Sequence, residues 1–324
     1  MHIPADLSQW KGRDDSAEPG DVRRLYQVVQ APDHHSVLPD SSAILGFACD
    51  AGVARNQGRI GARLGPQAVR RILAGLPAHH HSVLYDFGDV SCQEDDLEQA
   101  QALLGEHVAM MLSSQLVPVV IGGGHEIAWG SFQGLQKWLI TQEHSSGRLN
   151  HRKLLILNLD AHFDLRGSRP GSSGTPFDQI AIECQKNNRN FKYACWGVSR
   201  IANTPALFER AHALGADFIE DKNLQERHLD SVLFRLQRLL DDADDVYLTI
   251  DIDVLPASVA PGVSAPASLG VPLTVIESIA MAVKNSGKMR LADLAEFNPQ
   301  FDIDGHTARA VARLVWNLMG PKSI

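Results

Sequence analysis

Lys153-Leu154-Leu155-Ile156-Leu157-Asn158-Leu159-Asp160-Ala161-His162-Phe163-Asp164 is an apolar run that ends abruptly in side chains able to hold a metal. The run does not alternate between apolar and polar residues. That texture suits a strand covered on both faces, as in a parallel sheet. The same texture recurs at Ala43–Phe47, Leu116–Ile121, Lys192–Trp196, Asp245–Ile250 and Met289–Ala295. Between these lie segments with helical periodicity: Asp96–Ser113, Trp129–Thr141, Pro176–Gln185, Pro205–Leu214, Asp230–Asp241, Val275–Lys284 and Thr307–Met319. Thr274 and Asp230 are candidate N-caps, and Gly215 and Gly320 stand where helices usually end. Alternating strands and helices predict right-handed crossovers, with helices on both faces of one sheet. The expected fold class is therefore α/β in a single domain over residues 41–324, preceded by a 1–40 extension packed on the domain or at a subunit contact. There is no internal repeat. The Ser168–Pro176 stretch follows a strand directly and reads as an active-site loop.

Composition narrows the function. The chain has 324 residues, 44% hydrophobic and 21% charged, which is ordinary for a globular protein. A formal net charge of −8 argues against nucleic acid as a partner. No apolar stretch reaches membrane-span length, and Met1–Gly20 lacks the apolar core of a secretory signal. The four cysteines, Cys49, Cys92, Cys184 and Cys195, show no C-x-x-C spacing, so free thiols in a cytoplasmic protein are expected. His34-His35 and His79-His80-His81 read as solvated loops. Neither a Gly-x-Ser-x-Gly elbow nor a dinucleotide fingerprint is present.

Three segments just past strands concentrate ligand-type residues: Gly122-Gly123-Gly124-His125-Glu126, Asp160-Ala161-His162-Phe163-Asp164 and Asp251-Ile252-Asp253. In open α/β sheets the carboxyl ends of the strands share one crevice. Alternate residues of an extended segment point to one side, so Asp160, His162 and Asp164 converge, as do Asp251 and Asp253. With His125 they give two imidazoles and four carboxylates, enough for two ions if carboxylates bridge. Oxygen-rich ligation without thiolate favours Mn²⁺ over structural Zn²⁺.

These three motifs, the last continuing as Asp251-Ile252-Asp253-Val254-Leu255-Pro256-Ala257-Ser258-Val259-Ala260-Pro261-Gly262, resemble the signature set of the arginase, agmatinase and formimidoylglutamase superfamily. The resemblance runs from about Gly46 to Gly320. It implies a three-layer α/β/α sandwich with a central parallel sheet and two Mn²⁺ per subunit. His125, Asp160, Asp164 and Asp251 would hold one ion; Asp160, His162, Asp251 and Asp253 would hold the other. Family members commonly assemble, so a homo-oligomer is expected.

Within the superfamily, four stretches resemble the formimidoylglutamase branch: Gly46–Arg59, Asp164-Leu165-Arg166, Ser172–Phe177 and Glu296-Phe297-Asn298-Pro299-Gln300-Phe301-Asp302. Arginases carry a proton-shuttling histidine where this chain has Ser173, which cannot replace an imidazole near neutral pH. The implied small-molecule substrate is N-formimidoyl-L-glutamate, cleaved to L-glutamate and formamide by attack of a metal-bridging hydroxide on the formimidoyl carbon. Asp164 would relay the proton, and Glu296 would grip the cationic end. Two substrate carboxylates call for arginine. Arg166 is the first candidate; Arg200 with Asn203, and Arg55 and Arg59, are others, and Ser173 completes the expected pocket. Open alternatives are a guanidino-compound ureohydrolase, a zinc deacetylase of related topology and an inactive binding module.

Overall fold

Among the described residues, nine strands run parallel across the molecule, and the polypeptide order explains little of their spatial order. The computed structural model describes residues 1–32, 37–79, 81–147 and 151–319. The strands are β1 (His2–Ile3), β2 (Val29–Gln30), β3 (Ser42–Ala48), β4 (Leu84–Ser91), β5 (Val117–Ile121), β6 (Leu154–Leu159), β7 (Lys192–Val198), β8 (Asp217–Glu220), β9 (Asp245–Asp251) and β10 (Met289–Ala295). They form one sheet in the order β1-β4-β3-β5-β10-β9-β6-β7-β8, with β2 also pairing β4. Among the described strands, only β1 is antiparallel to its neighbour.

The helices are α1 (Leu25–Val28), α2 (Ala51–Arg55), α3 (Gly65–Ala74), α4 (Leu97–Ser113), α5 (Ile127–Ser146), α6 (Pro176–Lys186), α7 (Pro205–Ala213), α8 (Leu229–Asp241), α9 (Leu273–Asn285) and α10 (His306–Met319). They divide between the two faces of the sheet. Leu155, Leu157 and Leu159 of β6 pack with apolar residues of α3, α8, α9 and α10. Ile156 between them packs with those of α4, α5 and α6. This two-sided burial is what the unbroken apolar run required. The three-layer α/β/α expectation is met.

The first 32 residues are not loose. Trp10 is buried and donates its indole N–H to Asp86 at 2.9 Å. Asp86 also takes a two-pronged hydrogen bond from the buried Arg70. These polar residues interrupt β4, which is why its sequence does not read as a strand. The short α3 is likewise masked by its Gly65-Pro66 start.

Three local expectations need correction. The helices α8 and α9 begin one residue before Asp230 and Thr274, so these two lie in the first turn and His228 and Pro272 are the caps. Thr274 instead donates to Glu226 at 2.6 Å. His81 is buried, edge-on to Trp316, not solvated. Gly215, with φ +67°, does terminate α7. His34, His35, His80 and Gly320 lie outside the described residues. All four cysteines are unpaired.

Lys284 on α9 gives a stability prediction. Its ammonium is buried and donates to the Asn317 carbonyl, and burial lowers its pKa from 10.5 to about 8. The folded chain thus holds this proton less tightly than the unfolded chain. The charge costs stability in full below pH 8, and the cost fades between pH 8 and 10.5. Lys284→Met is expected to stabilise the protein near neutral pH by on the order of 1–2 kcal/mol, after discounting for partial screening and the lost hydrogen bond. Melting curves at neutral pH and above the lysine's ordinary pKa check it: the gain should shrink at the higher pH.

Candidate metal centre and pocket

The four central strands β5, β10, β9 and β6 are neighbours in space, and their carboxyl ends deliver the ligand-type residues. His125 follows β5 after three glycines, Glu296 follows β10, Asp251 closes β9 and Asp160 follows β6. The glycines are required by packing. A Cβ on Gly123 would lie 1.5 Å from the Cys49 carbonyl oxygen at the end of β3.

The His125 ring stands edge-on to Phe177 with centroids 5.3 Å apart. Its Nδ1 faces Asp160 Oδ2 at 3.1 Å, Asp164 Oδ2 at 3.0 Å and Asp251 Oδ2 at 3.3 Å, yet among the described residues it has no hydrogen-bond partner. A second group forms alongside: His162 Nδ1 lies 3.1 Å from Asp253 Oδ2 and 3.6 Å from Asp160 Oδ1. Within each group, His125/Asp160/Asp164/Asp251 and Asp160/His162/Asp253, one ligand atom per residue falls within 4.8 Å of the others. Asp160 belongs to both, as a bridging carboxylate would; Asp251 groups only with the first.

Backbone and neighbouring side chains aim these ligands. Asp160 accepts from the His162 N–H at 2.6 Å and from Asn158 Nδ2 at 2.9 Å. Asp251 accepts from the Asp253 N–H at 2.8 Å. Asp164 and Glu296 take positive φ angles, +48° and +66°, rare for residues with a side chain and found where a site demands a particular aim.

The electrostatics call for cations. Burial, then the charges of Asp253 and Asp160, push the Asp251 carboxyl well up, and burial together with Asp160 raises Asp164. Against burial, the facing carboxylates of Asp160, Asp164 and Asp251 raise His125, and the Asp253 charge raises His162. Without metal the cluster can reconcile its charges only by holding protons; divalent cations do so directly. The orphaned, buried His125 Nδ1 and Asp253 Oδ1 fit that role. The donor set of carboxylate oxygens and imidazoles suits ions of the Mn²⁺ type. This is a binuclear His/Asp metal-binding cluster.

Above the cluster opens a cavity of about 320 Å³, within the range for small-molecule sites. Its walls include Asn56, Gln57, Arg59, Arg166, Ser173, Asn203, Ser264 and Glu296. Among the described residues, no hydrogen bond or ion pair engages the Arg166 guanidinium, which is exposed at the wall. Other arginines are committed. Arg200 does not line the cavity; it lies on the surface, paired with Glu220 and stacked 4.6 Å over Phe208. That corrects its assignment to substrate. Arg55 forks onto Glu98. Arg59 reaches the Ser264 and Val263 carbonyls and lies 3.9 Å over Phe301. Asn203 lines the cavity, but its amide is spent on Phe163 N, Ala161 O and Ser199 O, bracing the segment that carries His162. Sequence reasoning did not single out Asn56, Gln57, Ser264 or Glu126. Glu126 is fully buried, holds the Gly52 N–H at 2.9 Å and is raised to about 7 by burial.

Comparison with known proteins agrees with this architecture. The arginase family model matches residues 40–320. The chain belongs to the arginase family. Among its relatives is the formimidoylglutamase of Cupriavidus pinatubonensis, 53% identical over 322 residues that cover 99% of this chain and all of the relative. The formimidoylglutamase of Paraburkholderia xenovorans is 52% identical, covering 98% of this chain and 100% of its own. This arginase-family chain is thus formimidoylglutamase-like. Its fold matches the crystal structure of the Bacillus subtilis formimidoylglutamase, at 19% identity, with a TM-score of 0.78 over 93% of this chain and 92% of that one. The Trypanosoma cruzi formiminoglutamase with Mn²⁺ matches with a TM-score of 0.77 at 22% identity, over 92% and 98% of the two chains.

Proposed function

We propose that this protein is a binuclear manganese hydrolase that converts N-formimidoyl-L-glutamate and water to L-glutamate and formamide, a reaction of histidine breakdown. The observation that carries the substrate is the 53% identity, end to end, with a formimidoylglutamase. His125, Asp160, Asp164 and Asp251 would hold one ion, and Asp160, His162 and Asp253 the other; the family resemblance adds Asp251 to the second. Bound divalent cations supply the Lewis acidity that brings the pKa of water from about 15.7 toward neutrality.

The chain's own residues divide the remaining work. Asp164, at the cavity floor, takes a proton from the attacking water and passes it to the departing glutamate nitrogen. Water adds to the formimidoyl carbon, and the bond from that carbon to the glutamate nitrogen breaks. Glu296 turns its unpartnered Oε2 to the cationic end of the substrate. Arg166 pairs with a carboxylate of the glutamyl end, and the Ser173 hydroxyl lines the path between.

Residues 41–324 would be the catalytic unit and 1–40 its extension. No helix among the described residues is long and apolar enough to cross a membrane. We read the protein as cytoplasmic from its four unpaired thiols, and as a homo-oligomer from the family resemblance and from exposed apolar residues such as Ile201 and Phe234.

Product analysis with manganese-loaded protein tests the reading, with agmatine and arginine as competing substrates. Formamide and glutamate from N-formimidoyl-L-glutamate alone are expected; urea from a guanidine would move the assignment to another branch. For Arg166→Met, KM is expected to rise about 10–100-fold, the cost of one charged hydrogen-bonded pair, with kcat within a few-fold. Steady-state kinetics check it, and an unchanged KM would remove Arg166 from the site.

A further inference from the structure

Behind His125, on the side away from the carboxylates, a second polar row crosses the middle of the sheet. His125 Nε2 lies 2.9 Å from Thr249 Oγ1 in β9. Thr249 is the register partner of Asp293 in β10. Asp293 is fully buried, its Oδ2 accepts the Tyr247 hydroxyl, and its Oδ1 has no partner among the described residues. Thr249, Asp293 and Tyr247 are all fully buried in strands otherwise rich in leucine, valine, isoleucine and alanine. A buried carboxylate is costly to keep unless it serves its neighbours.

The proton count gives the row a direction. A histidine that binds a cation through Nδ1 must carry its proton on Nε2. That proton goes to Thr249 Oγ1. A threonine hydroxyl that accepts has one hydrogen left to donate. Asp293 Oδ1, on the facing residue of the next strand, is the unfilled acceptor beside it. The Tyr247 hydroxyl fixes the other oxygen and with it the plane of the carboxylate. His162 has no such brace: among the described residues its ring meets only Asp160 and Asp253, on the metal side.

We infer that Thr249 and Asp293 are positioning residues that lock His125 in the Nε2–H tautomer and so set the affinity of the ion at His125, while leaving the ion at His162 nearly untouched. The inference rests on the metal reading above. Hydrogen-bonded partners behind a ligating histidine raise its basicity and fix its orientation, and their loss costs about 10–100-fold in affinity.

The test is Mn²⁺ binding to the full-length chain by equilibrium dialysis, with electron paramagnetic resonance at each manganese level. The wild type should bind two ions and show the broad signal of a coupled pair. In Thr249→Val, one site should weaken about 10–100-fold while the other stays within a few-fold, so that limited manganese gives the six-line spectrum of an isolated ion. Thr249→Ser should restore both sites, because it restores the hydroxyl. Asp293→Asn should weaken the same single site, and it carries the test should Thr249→Val fail to fold. Wild-type affinity at both sites in Thr249→Val and Asp293→Asn overturns the proposal, as does equal weakening of both sites or no rescue by serine. A wild type that binds no manganese overturns the metal reading itself, a separate result.

Discussion

Replacing Asp251 with asparagine is expected to remove bound manganese and lower turnover by about three orders of magnitude or more. The substitution keeps the size and one acceptor oxygen of the side chain but removes a charge from the centre of the cluster. Asp251 Oδ2 faces His125 Nδ1 at 3.3 Å, and Oδ1 is tied to the Asp253 N–H. One oxygen therefore points at the metal position and the other holds the neighbouring ligand in place. An amide in that position coordinates weakly and can no longer offset a divalent charge. The same reasoning predicts a difference in stability. Burial and the charges of Asp253 and Asp160 already disfavour an ionised Asp251, so metal-free Asp251→Asn should melt no lower than metal-free wild type. Manganese stabilises whichever chain binds it, by RT ln(1 + [L]/Kd). Added manganese should raise the melting temperature of the wild type and not that of the variant. Metal content, melting with and without chelator, and turnover check the three parts. A variant that keeps two ions and wild-type turnover would sink the assignment.

The ligand set could be read from sequence because its logic is local. Asp160, His162 and Asp164 fall on one short segment, Asp251 and Asp253 on another, and each follows a strand whose apolar run is plain. What the sequence could not show was the competition for each polar group. Arg200 looked available until β8 placed Glu220 against it, 20 residues along the chain. Asn203 looked like a substrate ligand, but its amide is consumed by three backbone groups. Strand β4 was hidden by Asp86, Gly88 and Asp89, whose partner Arg70 comes from α3. Nothing in the sequence marks Thr249 and Asp293, since only the register of β9 on β10 sets them side by side. In each case the missing information was tertiary pairing. The residues that needed none, the metal ligands, were the ones named first.

Glu296 carries the second large expected effect, because its two oxygens face different tasks. Oε1 accepts the His125 N–H at 3.0 Å, so it helps place a metal ligand. Oε2 is buried in the wall of the cavity with no partner among the described residues, where a cationic substrate nitrogen would complete it. Glu296→Gln preserves the shape and an acceptor for His125 N–H while removing the charge offered to substrate. The expected result is a loss of about 10²–10³-fold in kcat/KM, comparable to removing one well-placed electrostatic partner of a transition state, with two manganese ions still bound. Glu296→Ala removes both functions, and should lower manganese affinity as well as turnover. Comparing the two variants separates the roles. If Glu296→Gln loses metal to the same extent as Glu296→Ala, the residue acts through His125 alone. If Glu296→Gln keeps both its metal and its full kcat/KM, the cationic end of the substrate is held elsewhere. Loss of kcat/KM with metal retained would place the negative charge of Glu296 on the substrate, opposite Arg166, and would fix the direction in which the substrate lies across the cluster.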